Sequence, residues 1–206
     1  MKSTMKNFNF LILALIVGIG FSACSKDKTE YYDPQKWFDL ERPVLANYVD
    51  SVPELKGAVA DSSGIYYVVM DPGLQDSTDN DFYHYNINNA NEIEVPRIRV
   101  NYVGQMVPNG VEFDKGNDKE FLLTTTVGAW QKAFLPKYIM DKQGKLRYNG
   151  IGMGITEFGL QKGAKVRIVL PSYYGYQDRT VGSIPANTPL DFYIEVLEVN
   201  PPSAKN

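Results

Sequence analysis

One cysteine, one histidine and two tryptophans in 206 residues leave several chemistries without material. A single thiol, Cys24, allows no disulfide within the chain, so the fold must rely on its core. His84 stands in a stretch rich in Asp and Asn and reads as a surface residue, which gives Ser-His-Asp catalysis and histidine metal sites little to build on. Neither a metal nor a cofactor is expected. Gly150-x-Gly152-x-Gly154 has the wrong spacing for a dinucleotide fingerprint, and no clear strand leads into it. The carboxylates show no pairing that spacing could establish, so glycosidase chemistry has no support. No apolar run reaches the ~20 residues of a membrane span. Positive charge is not in excess either: 21 Lys and Arg against 24 Asp and Glu give a net charge of −3. Without a basic stripe to neutralise phosphates, nucleic acid is not an expected partner. There is no internal repeat.

What is present fits a globular chain. Hydrophobic residues make up 44% and charged residues 22%, close to ordinary values, and the length suffices for one domain with a real core. The head of the chain is separate in character. Lys2 and Lys6 precede an apolar run from Phe8 to Phe21, which ends in Phe21-Ser22-Ala23-Cys24. A basic start, a short apolar run and a small residue before the break describe a secretory signal. Ala23 followed at once by Cys24 resembles a bacterial lipoprotein box, which implies a signal peptide over 1–23 and acylation of Cys24. The chain is then expected to be lipid-anchored to a membrane of the bacterial cell envelope, on its periplasmic or surface face. The alternative is an ordinary signal peptide followed by a free thiol.

After a small, charged tether from Ser25 to about Thr29, apolar residues Phe38, Val44, Leu45, Tyr48, Val49 and Val52 recur near helical spacing. The segment from Asp33-Pro34 to Val52 is expected to be helical, with Pro43 breaking the helix or opening a second one. Tether and helical arm together occupy 24–60, and the arm is expected to pack on the domain or to extend the tether. Gln75 to Asn91 reads as an exposed polar excursion.

Strand patterning dominates the rest. Ile98, Val100 and Tyr102 alternate with Arg97, Arg99 and Asn101, and Gly104 and Pro108-Asn109-Gly110 are expected to turn the chain back into Val111-Glu112-Phe113-Asp114. Phe113 and Asp114 should face opposite sides unless the strand ends or bulges there. Val166, Ile168 and Leu170 form one strand face, and Leu190, Phe192, Ile194 and Val196 another. Between these two strands runs a long connection crowded with Tyr, Gly and Pro. Such connections are uncommon in compact domains and usually functional, so this one is read as a binding loop carrying Tyr174, Tyr176 and Ile184.

At these residues the chain resembles the FKBP-type peptidyl-prolyl cis-trans isomerases. The matching pieces, in the family's order, are Val100-Asn101-Tyr102-Val103-Gly104, Phe113-Asp114, Gly128-Ala129-Trp130, Gly163-Ala164-Lys165-Val166, Pro171 to Tyr176 and Ile184 to Leu190. The resemblance runs from about Val95 to Val199 and more weakly back to Ser63. It implies an α+β domain over 61–200, with an antiparallel β-sheet wrapped around a short α-helix and a pocket between them. Tyr102, Phe113, Phe121, Val127, Trp130, Ile184 and Phe192 match the family's pocket lining, with Trp130 as the floor. Tyr176 matches the hydroxyl that donates to a substrate carbonyl. Asp114 matches the carboxylate beside the amide, held by the Tyr102 hydroxyl, and the Val127 N–H matches a second donor.

Three departures fall near the site. Gln177 stands where the family usually has Gly, and the stretch between Phe121 and Trp130 is shortened. An extra segment near 136–157 follows the floor helix and is expected to form a flap, since Gly150 to Gly154 cannot sustain a good helix. An alternative register would place Met153, not Trp130, over the pocket. The implied activity is isomerisation at proline in exported polypeptides. The rival is a catalytically weak module that binds proline-containing peptides or partner proteins, and a third reading is a structural lipoprotein with a filled pocket.

Overall fold

The structure is a computed structural model that describes residues 32–87, 93–140, 146–148 and 154–202. The leader, Cys24, the tether, Asp141 to Lys145 and the stretch from Gly150 to Met153, with its alternative register, lie outside the described residues. Asp33 to Asn206 form one compact unit. No helix among the described residues is long and apolar enough to cross a membrane.

Six strands make one antiparallel sheet: β1 (Val59–Ala60), β2 (Tyr66–Asp71), β3 (Arg97–Met106), β4 (Val111–Leu122), β7 (Lys165–Leu170) and β8 (Leu190–Asn200). Their order is β1-β2-β7-β8-β3-β4. Alternation does what it predicts. Val166, Ile168 and Leu170 of β7 and Phe192, Ile194 and Val196 of β8 join Ile98 and Val100 of β3 in one core, packed on helix α2 (Gly128–Phe134) through Ala129, Trp130, Ala133 and Phe134. The α+β architecture with a sheet around a short helix is therefore the one expected. Helix α2 stops after seven residues because Leu135 precedes Pro136 and is held extended, at ψ 142°.

The opposite face of the sheet is covered by helix α1 (Pro34–Ser51), capped by the Asp33 carboxylate on the N–H groups of Gln35 and Lys36. Leu45, Tyr48 and Val49 pack with Leu55, Val107 and Val169 in a second core. Pro43 neither breaks this helix nor starts another. It lies on the exposed side, where the carbonyl left without its helical donor can turn to water, and packing of the buried side holds the helix continuous.

Two further expectations need correction. The 75–91 excursion is not wholly exposed: Phe82, Tyr83 and Tyr85 are buried, while His84 is exposed as expected. The fully buried Gln161 amide satisfies both backbone groups of Tyr83, at 2.9 and 3.1 Å, which ties this polar-looking segment into the core. Gly104 lies inside β3 rather than at a turn. A Cβ there would come within 2.6 Å of the Phe113 ring and 2.9 Å of the Phe192 ring, so the bare backbone is what lets these two rings close over the strand.

The 136–157 insertion contains a small two-stranded hairpin, β5 (Tyr138–Met140) with β6 (Leu146–Tyr148). Its base is pinned beside α2, since the Gly154 N–H donates to the Lys132 carbonyl at 2.9 Å and the Lys137 N–H to the Thr156 carbonyl at 3.1 Å.

Candidate active site

A cavity of about 360 Å³ opens between β3, β4, β8, α2 and the loop between β7 and β8. Tyr102, Phe113, Asp114, Phe121, Val127, Trp130, Tyr176 and Phe192 all line it. Trp130 forms the floor and is 4% exposed. Tyr102, Phe121 and Phe192 meet it edge to face at centroid distances of 5.4, 6.0 and 5.3 Å, and Phe113 stands against Phe192 at 5.6 Å. Such T-shaped pairs each add ~0.5–1.5 kcal/mol beyond area burial. The result is a box of mutually packed aromatic rings around the cavity.

Local backbone irregularities aim the polar groups. Gly104 pairs with Asp114 and Gln105 with Glu112, which leaves Phe113 as the extra residue of a β-bulge. The bulge cancels the strict alternation of β4, so Phe113 and Asp114 both reach the cavity. Tyr102 on β3 donates its hydroxyl to the Asp114 carboxylate at 2.7 Å. Burial first and the Asp114 carboxylate second push the Tyr102 hydroxyl well above its usual range, so it remains a donor. Asp114 itself is exposed, at the rim of the cavity.

Two donors in the cavity have no acceptor among the described residues. The Val127 N–H precedes the first turn of α2, whose bonds run to the Val127 carbonyl instead. The Tyr176 hydroxyl faces the same space, and burial, then the Asp114 charge, raise its pKa above the ordinary value. Both residues line the cavity, so both donors are available at its wall.

Ile184 does not line the cavity. Reciprocal backbone bonds with Val181 tighten the loop tip, and Ile184 is 3% exposed within the core. Residues not anticipated are Thr125, Thr126, Gly128, Gly175 and Arg179. Arg179 could have been noted, since it follows Tyr176 by three residues in the loop read as a binding loop. It lies at the exposed rim, where its Nε donates to the Tyr176 carbonyl at 3.4 Å.

Two of the three departures from the family pattern can be set against the cavity. None of the described residues of the insertion lines it. Gln177 takes φ 57°, the left-handed conformation that favours glycine, which explains the family's preference there. Gln177→Gly is expected to raise stability by about 0.5–1 kcal/mol, relief of that strain exceeding the added chain entropy. Urea titration of parent and variant checks this.

Comparison with known proteins places this geometry. A family model described as FKBP-type peptidyl-prolyl cis-trans isomerase matches residues 92–197. The FKBP-type peptidyl-prolyl cis-trans isomerase FkpA of Buchnera aphidicola from Schizaphis graminum is 27% identical over 158 residues, covering 74% of this chain and 47% of that protein. A probable FKBP-type peptidyl-prolyl cis-trans isomerase of Haemophilus influenzae is 31% identical over 113 residues, covering 52% of this chain and 37% of that protein. The chain thus spans about half the length, or less, of these curated relatives. The crystal structure of FkpA from Escherichia coli shares the fold at a TM-score of 0.51 and 20% identity, over 97% of this chain and 75% of that one.

Proposed function

The chain belongs to the FKBP-type peptidyl-prolyl cis-trans isomerase family, a family of isomerases, and from that premise we propose that it catalyses cis-trans exchange at X-Pro bonds of exported polypeptides. The observation that carries the proposal is the aromatic box with two unengaged donors, Val127 N–H and Tyr176 hydroxyl, on its walls.

The chemistry asks for no more than this. Rotation about the amide faces a barrier of ~18–20 kcal/mol because it destroys resonance. No bond breaks, so no nucleophile or redox group is required. The twisted amide is less dipolar than the planar one and is favoured against the faces of Trp130, Phe121 and Phe192. The Val127 N–H and the Tyr176 hydroxyl hold flanking carbonyls, and Asp114, fixed by Tyr102, stands beside the rotating amide. Only the part of these interactions that is stronger in the twisted state accelerates exchange. Each ~1.4 kcal/mol of such difference is worth about tenfold.

Tyr176→Phe keeps the wall and removes one hydrogen bond, so kcat/KM is expected to fall by about tenfold or less. Asp114→Ala is expected to cost about tenfold, since it frees the Tyr102 hydroxyl, while exposure at the rim limits the loss of charge. Both are read from isomerisation of a short X-Pro peptide. An inactive parent that still binds the peptide would instead make the chain a binding module.

Lipid anchoring at the cell envelope belongs to the same proposal, supported by the run from Lys2 to Cys24. Cys24→Ser is expected to move the protein from the membrane to the soluble fraction. Retention in the membrane after that substitution would remove the lipoprotein reading.

A further inference from the structure

Helix α1 lies outside the stretch that matches the family, yet it reaches the loop that carries Tyr176. Glu41, on its buried side, is 5% exposed and meets no cation among the described residues. Among the described residues its two oxygens accept from Ser172 alone: from the N–H at 2.7 Å and the hydroxyl at 2.5 Å. Ser172 is fully buried, and its carbonyl accepts from the N–H groups of Gly175 and Gln177, both at 2.9 Å. Those two residues bracket Tyr176. Gln177 is clamped in turn by the Asn187 N–H on its carbonyl at 2.7 Å. One turn earlier on the helix, Phe38 packs against Tyr173 and Tyr174 at 6.1 and 6.2 Å.

We propose that Glu41 is a positioning residue for the pocket: through Ser172 it sets the placement of Tyr176, which makes helix α1 a working part of the site. The inference rests on the isomerase reading for its kinetic consequence and not for its geometry. A buried carboxylate without a cation is a poor device for stability alone, because removing a charge from water is costly unless it is well paired. Burial accordingly pushes the Glu41 carboxyl above its usual range, although the two Ser172 bonds pull it down. What a carboxylate does supply is two acceptors in one plane. They hold the N–H and the hydroxyl of Ser172 together and so fix the start of the short turn Ser172–Tyr174 in direction as well as distance.

The test uses the full chain in detergent, with parent, Glu41→Ala, Glu41→Gln, Tyr176→Phe and the Glu41→Ala/Tyr176→Phe pair. Isomerisation of an X-Pro peptide and amide hydrogen exchange at Gly175 and Gln177 are measured well below each melting temperature. Glu41→Ala is expected to lower kcat/KM about five- to tenfold, on the scale of one hydrogen bond, and to speed exchange at both amides. Glu41→Gln is expected to recover most of both, since its amide can accept from the Ser172 N–H and donate to the hydroxyl. In the Tyr176→Phe background the Glu41→Ala loss is expected to shrink, as it does when two residues act through one contact. A Glu41→Ala variant with a lowered melting temperature but parental kcat/KM and exchange would overturn the inference, as would strict additivity with Tyr176→Phe. An inactive parent would sink the isomerase reading, and exchange at Gly175 and Gln177 would then decide the inference by itself.

Discussion

Trp130→Ala is expected to lower folding stability by ~3–5 kcal/mol and to abolish measurable peptide binding. The indole is almost wholly buried and is the shared neighbour of Tyr102, Phe121 and Phe192, so its removal takes away the centre of the box, not one wall. The surrounding sheet and helix can collapse only in part. The hollow left beneath the site would admit water where the twisted amide needs an apolar surface. Chemical denaturation reads the first effect and calorimetric titration with an X-Pro peptide the second. Trp130→Phe fills much of the volume and is expected to keep the fold while weakening binding. A Trp130→Ala protein of parental stability would show that the floor is not part of the core.

A loss of similar size is expected from Arg167→Leu, on the far side of the sheet. Asp191 is 1% exposed and is held by Arg167 through Nε at 3.0 Å to both oxygens and through Nη2 at 2.6 Å. The Tyr48 hydroxyl of α1 donates to the same carboxylate at 2.8 Å. Burial, then the Asp191 carboxylate, push that phenol up to about 12, so it stays a donor at neutral pH. Removing the guanidinium leaves a buried charge with one neutral partner, and breaking such a pair costs ~3–5 kcal/mol. The second core, through Leu45, Tyr48 and Val49, would have to hold α1 against the sheet without that ion pair. The outer neighbour Glu54, 3.8 Å from Arg167 and mostly exposed, serves as the control, and Glu54→Gln is expected to change stability little. Equal effects from the two substitutions would contradict the assignment of a buried ion pair.

Much of this was legible in the sequence, and the parts that were not share a cause. Alternation in Val166–Leu170 and Leu190–Val196 identified strands and their inward faces, because burial on one side leaves a period of two. The same period could not decide where Asp114 points. That depended on a one-residue mismatch between β3 and β4, which is a property of two strands and not of either alone. Gly104 looked like a turn, since local signals do not report a ring closing from another strand. Phe82, Tyr83 and Tyr85 were hidden by their Asp and Asn neighbours, and the Gln161 amide that satisfies the Tyr83 backbone lies more than seventy residues away. Ile184 was expected at the cavity both from its loop and from the resemblance, whereas the structure buries it in the core beside its Val181 bonds. Glu41 gave no signal at all. An acid among the polar residues of a helix reads as solvated, and only the packed loop shows its two oxygens closed around Ser172.

The central claim is that the cavity turns over X-Pro bonds, and the most direct measurement is the exchange rate between cis and trans forms of a short X-Pro peptide at equilibrium, followed by NMR with micromolar full-length protein in detergent. Uncatalysed exchange takes roughly tens to hundreds of seconds. The account predicts exchange accelerated in proportion to protein concentration and reduced by both Tyr176→Phe and Asp114→Ala. An exchange rate equal to the uncatalysed one at every protein concentration would contradict it.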